Sequence, residues 1–240
     1  MSNEISIWAV VPAAGIGKRM LSDVPKQYLK IAGRAVIEHT LDRLLSVPQV
    51  RGVIVALQND DPYWPSINIQ SDKPVITTGG GSERCHSVLN ALETLSDQHP
   101  SSTTKTWALV HDAVRPAVRV EDIEKLISTV AGSDDGGLLA MPVRDTMKRS
   151  GADQAVSETV DREGLWHALT PQLFDSRLLK QALEQALQDN FLVTDESSAM
   201  EHAGYRPQLV SGSEDNIKIT CPGDLQLAEL YLQASKISAA

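Results

Sequence analysis

One stretch near the start of the chain constrains its fold more than any other. An apolar run from Ile5 to Val11 breaks into Pro12-Ala13-Ala14-Gly15-Ile16-Gly17, and Lys18, Arg19 and Met20 follow at once. The run reads as a buried strand. The small residues after it make a turn in which backbone N–H groups can close around an anion with no Cβ in the way. Lys18, Arg19 and then Lys26, in Pro25-Lys26-Gln27, place positive charge beside that turn, as phosphoryl chemistry needs. Two familiar loops are excluded. A dinucleotide fingerprint needs a third glycine where Met20 stands, and a Walker A loop needs Ser or Thr where Arg19 stands and Gly where Pro12 stands. What remains is a different anion loop, P-A-A-G-x-G-x-R-M. It follows a first strand, where open α/β sheets bind ligands.

The rest of the chain alternates apolar runs with helical patterns, which predicts an α/β fold with a mostly parallel sheet and helices on its faces. A single domain over residues 1–240 is expected. Strands are predicted at Val53–Leu57, Val75–Thr78, Trp107–Val110, Gly136–Met141, Gln208–Val210 and Asn216–Thr220. Helices are predicted at Val36–Val47, Glu83–Leu95, Glu121–Val130, Leu178–Leu187, Ser197–His202 (capped by Thr194) and Asp224–Ala234, with Pro222 starting the last. Ser101–Thr106 reads as an exposed loop. Between residues 142 and 169 the pattern changes. Val156–Val160 and Leu165–Leu169 flank the turn-rich Asp161-Arg162-Glu163-Gly164, which predicts a β-arm with Arg162 at its tip. An arm that cannot bury its own apolar face packs on a partner, so a homodimer is expected.

Two further stretches carry chemistry. Gly79-Gly80-Gly81-Ser82 leads into a helix start with Ser82 as its expected cap, and Ser87 lies one turn in. Asp112 ends a predicted strand and is a candidate Mg²⁺ ligand, because that ion takes one or two carboxylates plus phosphate oxygens. Arg115, three residues on, pairs either with a second anion or with Asp112 itself. His86, His111 and His202 read as structural. With 22 basic and 31 acidic residues, the net charge of −9 argues against a general nucleic-acid binder. No apolar run approaches the ~20 residues of a membrane span, and Met1-Ser2-Asn3-Glu4 does not resemble a signal peptide, so a cytoplasmic protein without membrane partners is expected. Cys85 and Cys221 form no metal or disulfide pattern.

Taken in order, P-A-A-G-x-G-x-R-M, P-K-Q-Y, G-G-x-x-R-x-x-S, H-D-A-x-R-P, P-V-x-D-T, D-R-x-G-L-W, T-P-Q, T-D-E and D-N-I-K-x-T resemble the 2-C-methyl-D-erythritol 4-phosphate cytidylyltransferase family of the non-mevalonate isoprenoid pathway. The resemblance spans roughly residues 7 to 232. It implies a Rossmann-like nucleotidyltransferase fold with an arm for dimerisation, CTP as co-substrate, and Mg²⁺ or another divalent cation. It also implies roles for residues. Pro12, Ala13, Ala14, Gly15 and Gly17 would wrap CTP, and Arg19 and Lys26 would neutralise its phosphates. Gly81, Ser82 and Ser87 would hold the cytosine, and Asp112 would ligate the metal. Arg115, Thr146, Thr170 and Thr194 would position the acceptor. Arg162 would reach the acceptor across the dimer, and Lys218 would orient attack. The family often has an acid where this chain has Ser82. A cytidylyltransferase for another polyol phosphate, such as ribitol 5-phosphate, would share the nucleotide half. A nucleotide sensor would not need Arg19, Lys26, Arg162 and Lys218 together.

Overall fold

A computed structural model of the chain describes residues 5–15, 20, 22–98 and 105–238. Lys18, and with it the candidate site residues Gly17 and Arg19, lies outside the described residues, as does most of the predicted 101–106 loop.

The strands alternate in side-chain direction, and both directions are apolar, which is why they end in the middle of the molecule. In β1 (Ser6–Pro12), Ile7, Ala9 and Val11 face one core while Trp8 and Val10 face the other. Strands β4 (Val50–Leu57) and β6 (Thr106–Val110) repeat this, with Val53, Val55, Trp107 and Leu109 on the first side and Ile54, Ala108 and Val110 on the second. Helices α1 (Val36–Ser46) and α3 (Val120–Val130) cover the first face. Helices α2 (Arg84–Gln98), α4 (Ser176–Gln188) and α5 (Glu196–His202) cover the second.

Seven strands form the main sheet, in the order β11-β7-β10-β6-β1-β4-β5. The outer members are β5 (Val75–Gly79), β7 (Gly137–Pro142), β10 (Trp166–Asp175) and β11 (Gln208–Ser211). Only β10 runs antiparallel to its neighbours; the β11–β7, β6–β1, β1–β4 and β4–β5 pairs are parallel. The mostly parallel α/β class expected from the sequence is therefore the one observed. A short hairpin of β2 (Lys30–Ile31) and β3 (Arg34–Ala35) precedes α1, and α6 (Pro222–Ser238) closes the chain over a small third core that includes Met20, Val114 and Ile219. No helix among the described residues is long and apolar enough to cross a membrane.

Three expectations are corrected. The arm's hairpin pairs β8 (Met147–Ser150) with β9 (Val156–Val160), so its tip is Gly151–Ala155. The Asp161–Gly164 turn instead joins β9 to β10, where Trp166, His167 and Ala168 pair with β7, so Arg162 sits at the root of the arm. The Met147–Ser150 strand is exposed on every residue, so it carries no apolar alternation to read. Asn216–Thr220 is not a strand. Its extended backbone is held by separate bonds, with Ile219 N–H donating to the Val114 carbonyl and Arg115 and Lys26 donating to the Asn216 and Ile219 carbonyls. Finally, α5 is capped by Asp195, whose carboxylate accepts the Ser198 N–H at 3.0 Å; Thr194 lies outside the helix. Asp accepts this bond better than Thr does.

Candidate active site

The carboxyl ends of β1, β4 and β6 lie side by side, and the loops leaving them enclose a cavity of about 200 Å³. Each loop is pinned to the sheet. Ala13 N–H donates to the Ala56 carbonyl at 2.8 Å, Gly80 N–H to the Leu57 carbonyl at 2.6 Å, and His111 N–H to the Val10 carbonyl at 2.9 Å. From the short 3-10 turn at Lys26–Tyr28, the buried Gln27 amide donates to the Ala13 carbonyl at 2.7 Å. The anion loop is thus tied at its first turn from two sides.

Of the residues predicted for the site, Pro12, Ala13, Ala14, Gly15, Lys26, Gly81, Ser82, Ser87, Asp112 and Lys218 all line this one cavity. Lys26 Nζ donates to the Ile219 carbonyl at 3.0 Å, which ties the lysine to the segment that carries Lys218. The Gly81 N–H donates to the Ser87 hydroxyl at 3.1 Å. Ser82 Oγ lies 3.0 Å from the His86 ring. A Cβ on Gly80 would fall 2.3 Å from that of Ala14, and one on Gly81 would fall 2.2 Å from that of His86, so both positions require glycine for close approach.

Asp112 is the electrostatic centre. It is buried, yet three cations touch its carboxylate. Arg84 Nε donates to Oδ1 at 3.0 Å, and Lys218 Nζ and Arg115 Nε donate to Oδ2 at 3.0 and 3.2 Å. Burial alone would raise the carboxyl's pKa. The charges of Arg84, Lys218 and Arg115 outweigh it and hold the group well below the usual carboxylate range. The Asp112–Arg115 pair that could merely brace the turn is therefore present, but within a larger cluster. Burial is also the main influence on Arg115, and it lowers that guanidinium.

The motifs that contain Arg84 and Glu196 imply no role for either residue. The structure joins them. Arg84 presents its other two nitrogens to the two oxygens of Glu196 at 2.5 and 3.0 Å, and Glu196 is 0% exposed. A signal for this was legible. Arg84 begins a helix, where the helix dipole disfavours a cation, so it needs carboxylate partners. Although burial opposes it, the proximity of Glu196 and Asp112 raises the Arg84 pKa.

A second chain of bonds lies beneath Asp112. Its N–H donates to the Thr170 hydroxyl, which donates to His111 Nδ1 at 3.0 Å, and His111 Nε2–H donates to the Arg115 carbonyl at 3.1 Å. Burial pushes the His111 pKa down to about 4, so the ring is neutral. Thr170 is thus packed against the cluster, at a register shift in β10. Thr194 is exposed just before α5, two residues from Glu196. Thr146 and Arg162 are exposed at the root of the arm, where the Arg162 guanidinium donates to the Arg144 carbonyl, and the structure does not bring them to the cavity. A larger cavity, of about 960 Å³, lies across Tyr28 between α1 and the 63–71 loop; none of the predicted site residues lines it.

Residues 7–234 match the family model described as IspD, 2-C-methyl-D-erythritol 4-phosphate cytidylyltransferase. Relatives carrying that enzyme name include one from Aliivibrio fischeri (strain MJ11), 50% identical over 236 residues and covering 98% of each chain. Another, from Vibrio atlanticus (strain LGP32), is 52% identical over 237 residues, covering 98% of this chain and 100% of the relative. Among solved structures, a 4-diphosphocytidyl-2C-methyl-D-erythritol synthase superposes with a TM-score of 0.81 at 33% identity, covering 95% of this chain and 99% of that one. The Francisella tularensis 2-C-methyl-D-erythritol 4-phosphate cytidylyltransferase gives 0.79 at 33% identity over 94% and 99%.

Proposed function

The chain belongs to the 2-C-methyl-D-erythritol 4-phosphate cytidylyltransferase family, and from that premise we propose which of its residues perform the reaction. The enzyme joins CMP from CTP to 2-C-methyl-D-erythritol 4-phosphate. It gives 4-diphosphocytidyl-2-C-methyl-D-erythritol and pyrophosphate, in the non-mevalonate route to isoprenoid precursors. A phosphate oxygen of the acceptor attacks the α-phosphorus of CTP, and the bond to pyrophosphate breaks.

The acceptor phosphate, with a second pKa near ~6, is largely dianionic at neutral pH, so no general base is needed. The buried, neutral His111 fits that requirement, since its ring nitrogens already have protein partners. The obstacle is repulsion between two polyanions, which fixed cations reduce. The observation that carries the assignment is the convergence of Lys26, Lys218, Gly15 and Gly81 on one cavity lined also by Asp112. Pro12, Ala13, Ala14, Gly15 and Gly17 wrap CTP. Gly81, Ser82 and Ser87 take the cytosine, with backbone and hydroxyl contacts selecting C over U. Arg19 and Lys26 neutralise the phosphates that leave, and Lys218 orients the attacking one. Arg115, Thr146, Thr170 and Thr194 position the acceptor.

Asp112 is a hard oxygen donor on the cavity wall, the donor type Mg²⁺ takes, although Arg84, Lys218 and Arg115 already bond its two oxygens in this structure, so an ion would have to share them. Among the described residues no group of three or more His, Cys, Asp or Glu could hold a metal alone, so phosphate oxygens would complete its shell. Asp112 would hold the ion, which when bound supplies further charge neutralisation.

The enzyme acts as a homodimer through the arm. Met147, Val156, Leu165 and Trp166 are large apolar side chains left exposed there, and a two-stranded hairpin is marginal without further packing. In the dimer, Arg162 of one protomer serves the acceptor phosphate of the other. The test is pyrophosphate release on mixing the protein with CTP, Mg²⁺ and each of two acceptors. Release with 2-C-methyl-D-erythritol 4-phosphate and not with ribitol 5-phosphate is expected; the reverse overturns the acceptor assignment.

A further inference from the structure

We propose that Arg84, clamped by Glu196, is a positioning residue: it is the fixed counter-ion of Asp112, and it leaves Lys218 able to exchange that carboxylate for a substrate phosphate. The proposal rests on the reading of Lys218 as the residue that orients the attacking phosphate.

The three cations on Asp112 are held differently. Arg84 makes three charge-assisted bonds, one to Asp112 Oδ1 and two to the oxygens of Glu196. A planar fork shared between two carboxylates is rigid. Arg115 is buried and also donates to the Asn216 carbonyl at 2.7 Å. Lys218 has one bond to Oδ2 at 3.0 Å, a flexible stem and a side chain 38% exposed; Arg84 lines the same cavity but is 28% exposed and held by three bonds. It alone of the three can turn toward a ligand by giving up a single bond, the one to Asp112 Oδ2.

Its departure matters to Asp112. A buried carboxylate that loses a partner is destabilised in proportion to the charge left uncompensated. With Arg84 fixed on Oδ1 and Arg115 on Oδ2, Asp112 stays paired while Lys218 moves. Glu196 makes this possible by satisfying the rest of the guanidinium, which would otherwise be drawn into the cavity by the phosphates. The clamp also spans the site. Arg84 is in the first turn of α2, two residues after Ser82, and Glu196 is in the first turn of α5, two residues after Thr194. It therefore fixes the nucleotide side relative to the acceptor side.

The first variant is Glu196→Gln, which keeps the shape and removes the charge. The second is the paired Arg84→Met/Glu196→Leu change, because replacing both members of a buried pair by apolar groups of similar volume often preserves stability. In both, kcat falls by about 10- to 100-fold, the scale of a misplaced reacting group, while the Kd and KM for CTP move less than about threefold. Lys218→Ala costs turnover in the wild-type background and much less in the paired variant, where Asp112 retains the lysine. A merely structural pair would not change the size of the Lys218 effect. A folded paired variant with kcat within twofold of wild type overturns the proposal. So does a loss confined to CTP affinity, which would make Arg84 a nucleotide ligand. If Lys218→Ala is silent in the wild-type enzyme, the underlying reading of Lys218 fails, whatever the Glu196 variants do.

Discussion

Gly80→Ala isolates the contact between the two nucleotide loops. The added Cβ would lie 2.3 Å from the Ala14 Cβ, 3.0 Å from the Leu57 carbonyl oxygen and 3.1 Å from Ser87 Oγ. Carbon atoms in contact sit about 3.5–4.0 Å apart, so Ala14 or residue 80 must retreat by more than about 1 Å. The glycine turn has little freedom, because the Gly80 N–H is bonded to Leu57 at 2.6 Å and the Gly81 N–H to Ser87 at 3.1 Å. The Ala14 side therefore moves. Overpacking of this kind costs about 1–3 kcal/mol. The free protein relieves part of it by shifting the loop, and CTP must reimpose it on binding. If all of it falls on binding, the Kd for CTP rises between about 5- and 150-fold. Calorimetric titration of CTP, with Tm measured in parallel, checks this. Gly15→Ala is the control: its Cβ would meet nothing within 4 Å among the described residues, so Tm is expected at the wild-type value and a change in Kd reports contact with the ligand itself. A Gly80→Ala protein that binds CTP within twofold of wild type would refute the reasoning, since Ala14 would then not have to be in place for nucleotide binding.

Lys26→Ala should lower kcat strongly and leave the far-ultraviolet circular dichroism unchanged; near-normal turnover would sink the role assigned to this lysine. Arg162→Ala should raise the KM for the methylerythritol phosphate more than that for CTP, and an equal loss for both would argue against the arm's part in acceptor binding. Val156→Lys, at an arm position 64% exposed, should shift the protein from dimer to monomer in sedimentation; an unchanged dimer would place the interface elsewhere. His111 makes metal-free stability pH-dependent. Its pKa is about 4 when folded against 6.5 for an exposed imidazole, so between those pH values the unfolded chain binds a proton that the folded one does not. Stability is full above pH ~6.5 and is lost as pH falls, by about 1.4 kcal/mol per unit and about 3 kcal/mol in all. Urea midpoints measured across that range should carry this slope in wild type and lose it in His111→Gln; equal slopes would be the contrary result.

The sheet was legible because its central strands are buried on both faces. Ile7–Val11 and Trp107–Val110 are continuous apolar runs, as strands covered on both faces need. The elements that were misread lack that support. Met147–Ser150 pairs in solvent with Val156–Val160, itself exposed on four of five residues, so no burial pattern marks either strand or their pairing. Asn216–Thr220 is apolar at Ile217 and Ile219 like a strand, but its neighbours are loop carbonyls and side chains instead of a ladder.

The site divides in the same way. Residues whose role lies within one turn of chain were readable: glycines that admit close approach, a lysine after the loop, an aspartate at a strand end. Residues whose role lies in a partner far away were not. Arg84 and Glu196 are 112 positions apart, and neither shows its meaning alone. Each nevertheless poses a physical demand, a cation at a helix start and a carboxylate among the apolar residues of the second core. The two demands have one joint solution, which is to pair. A net charge of −9 coexists with an anion-binding site for that reason. The chain's acidity is spread over its surface, while the two carboxylates at the centre are each committed to cations that hold one another in place. The surplus charge in that cluster, three cations against two carboxylates, belongs to Lys218, the member free to face a phosphate.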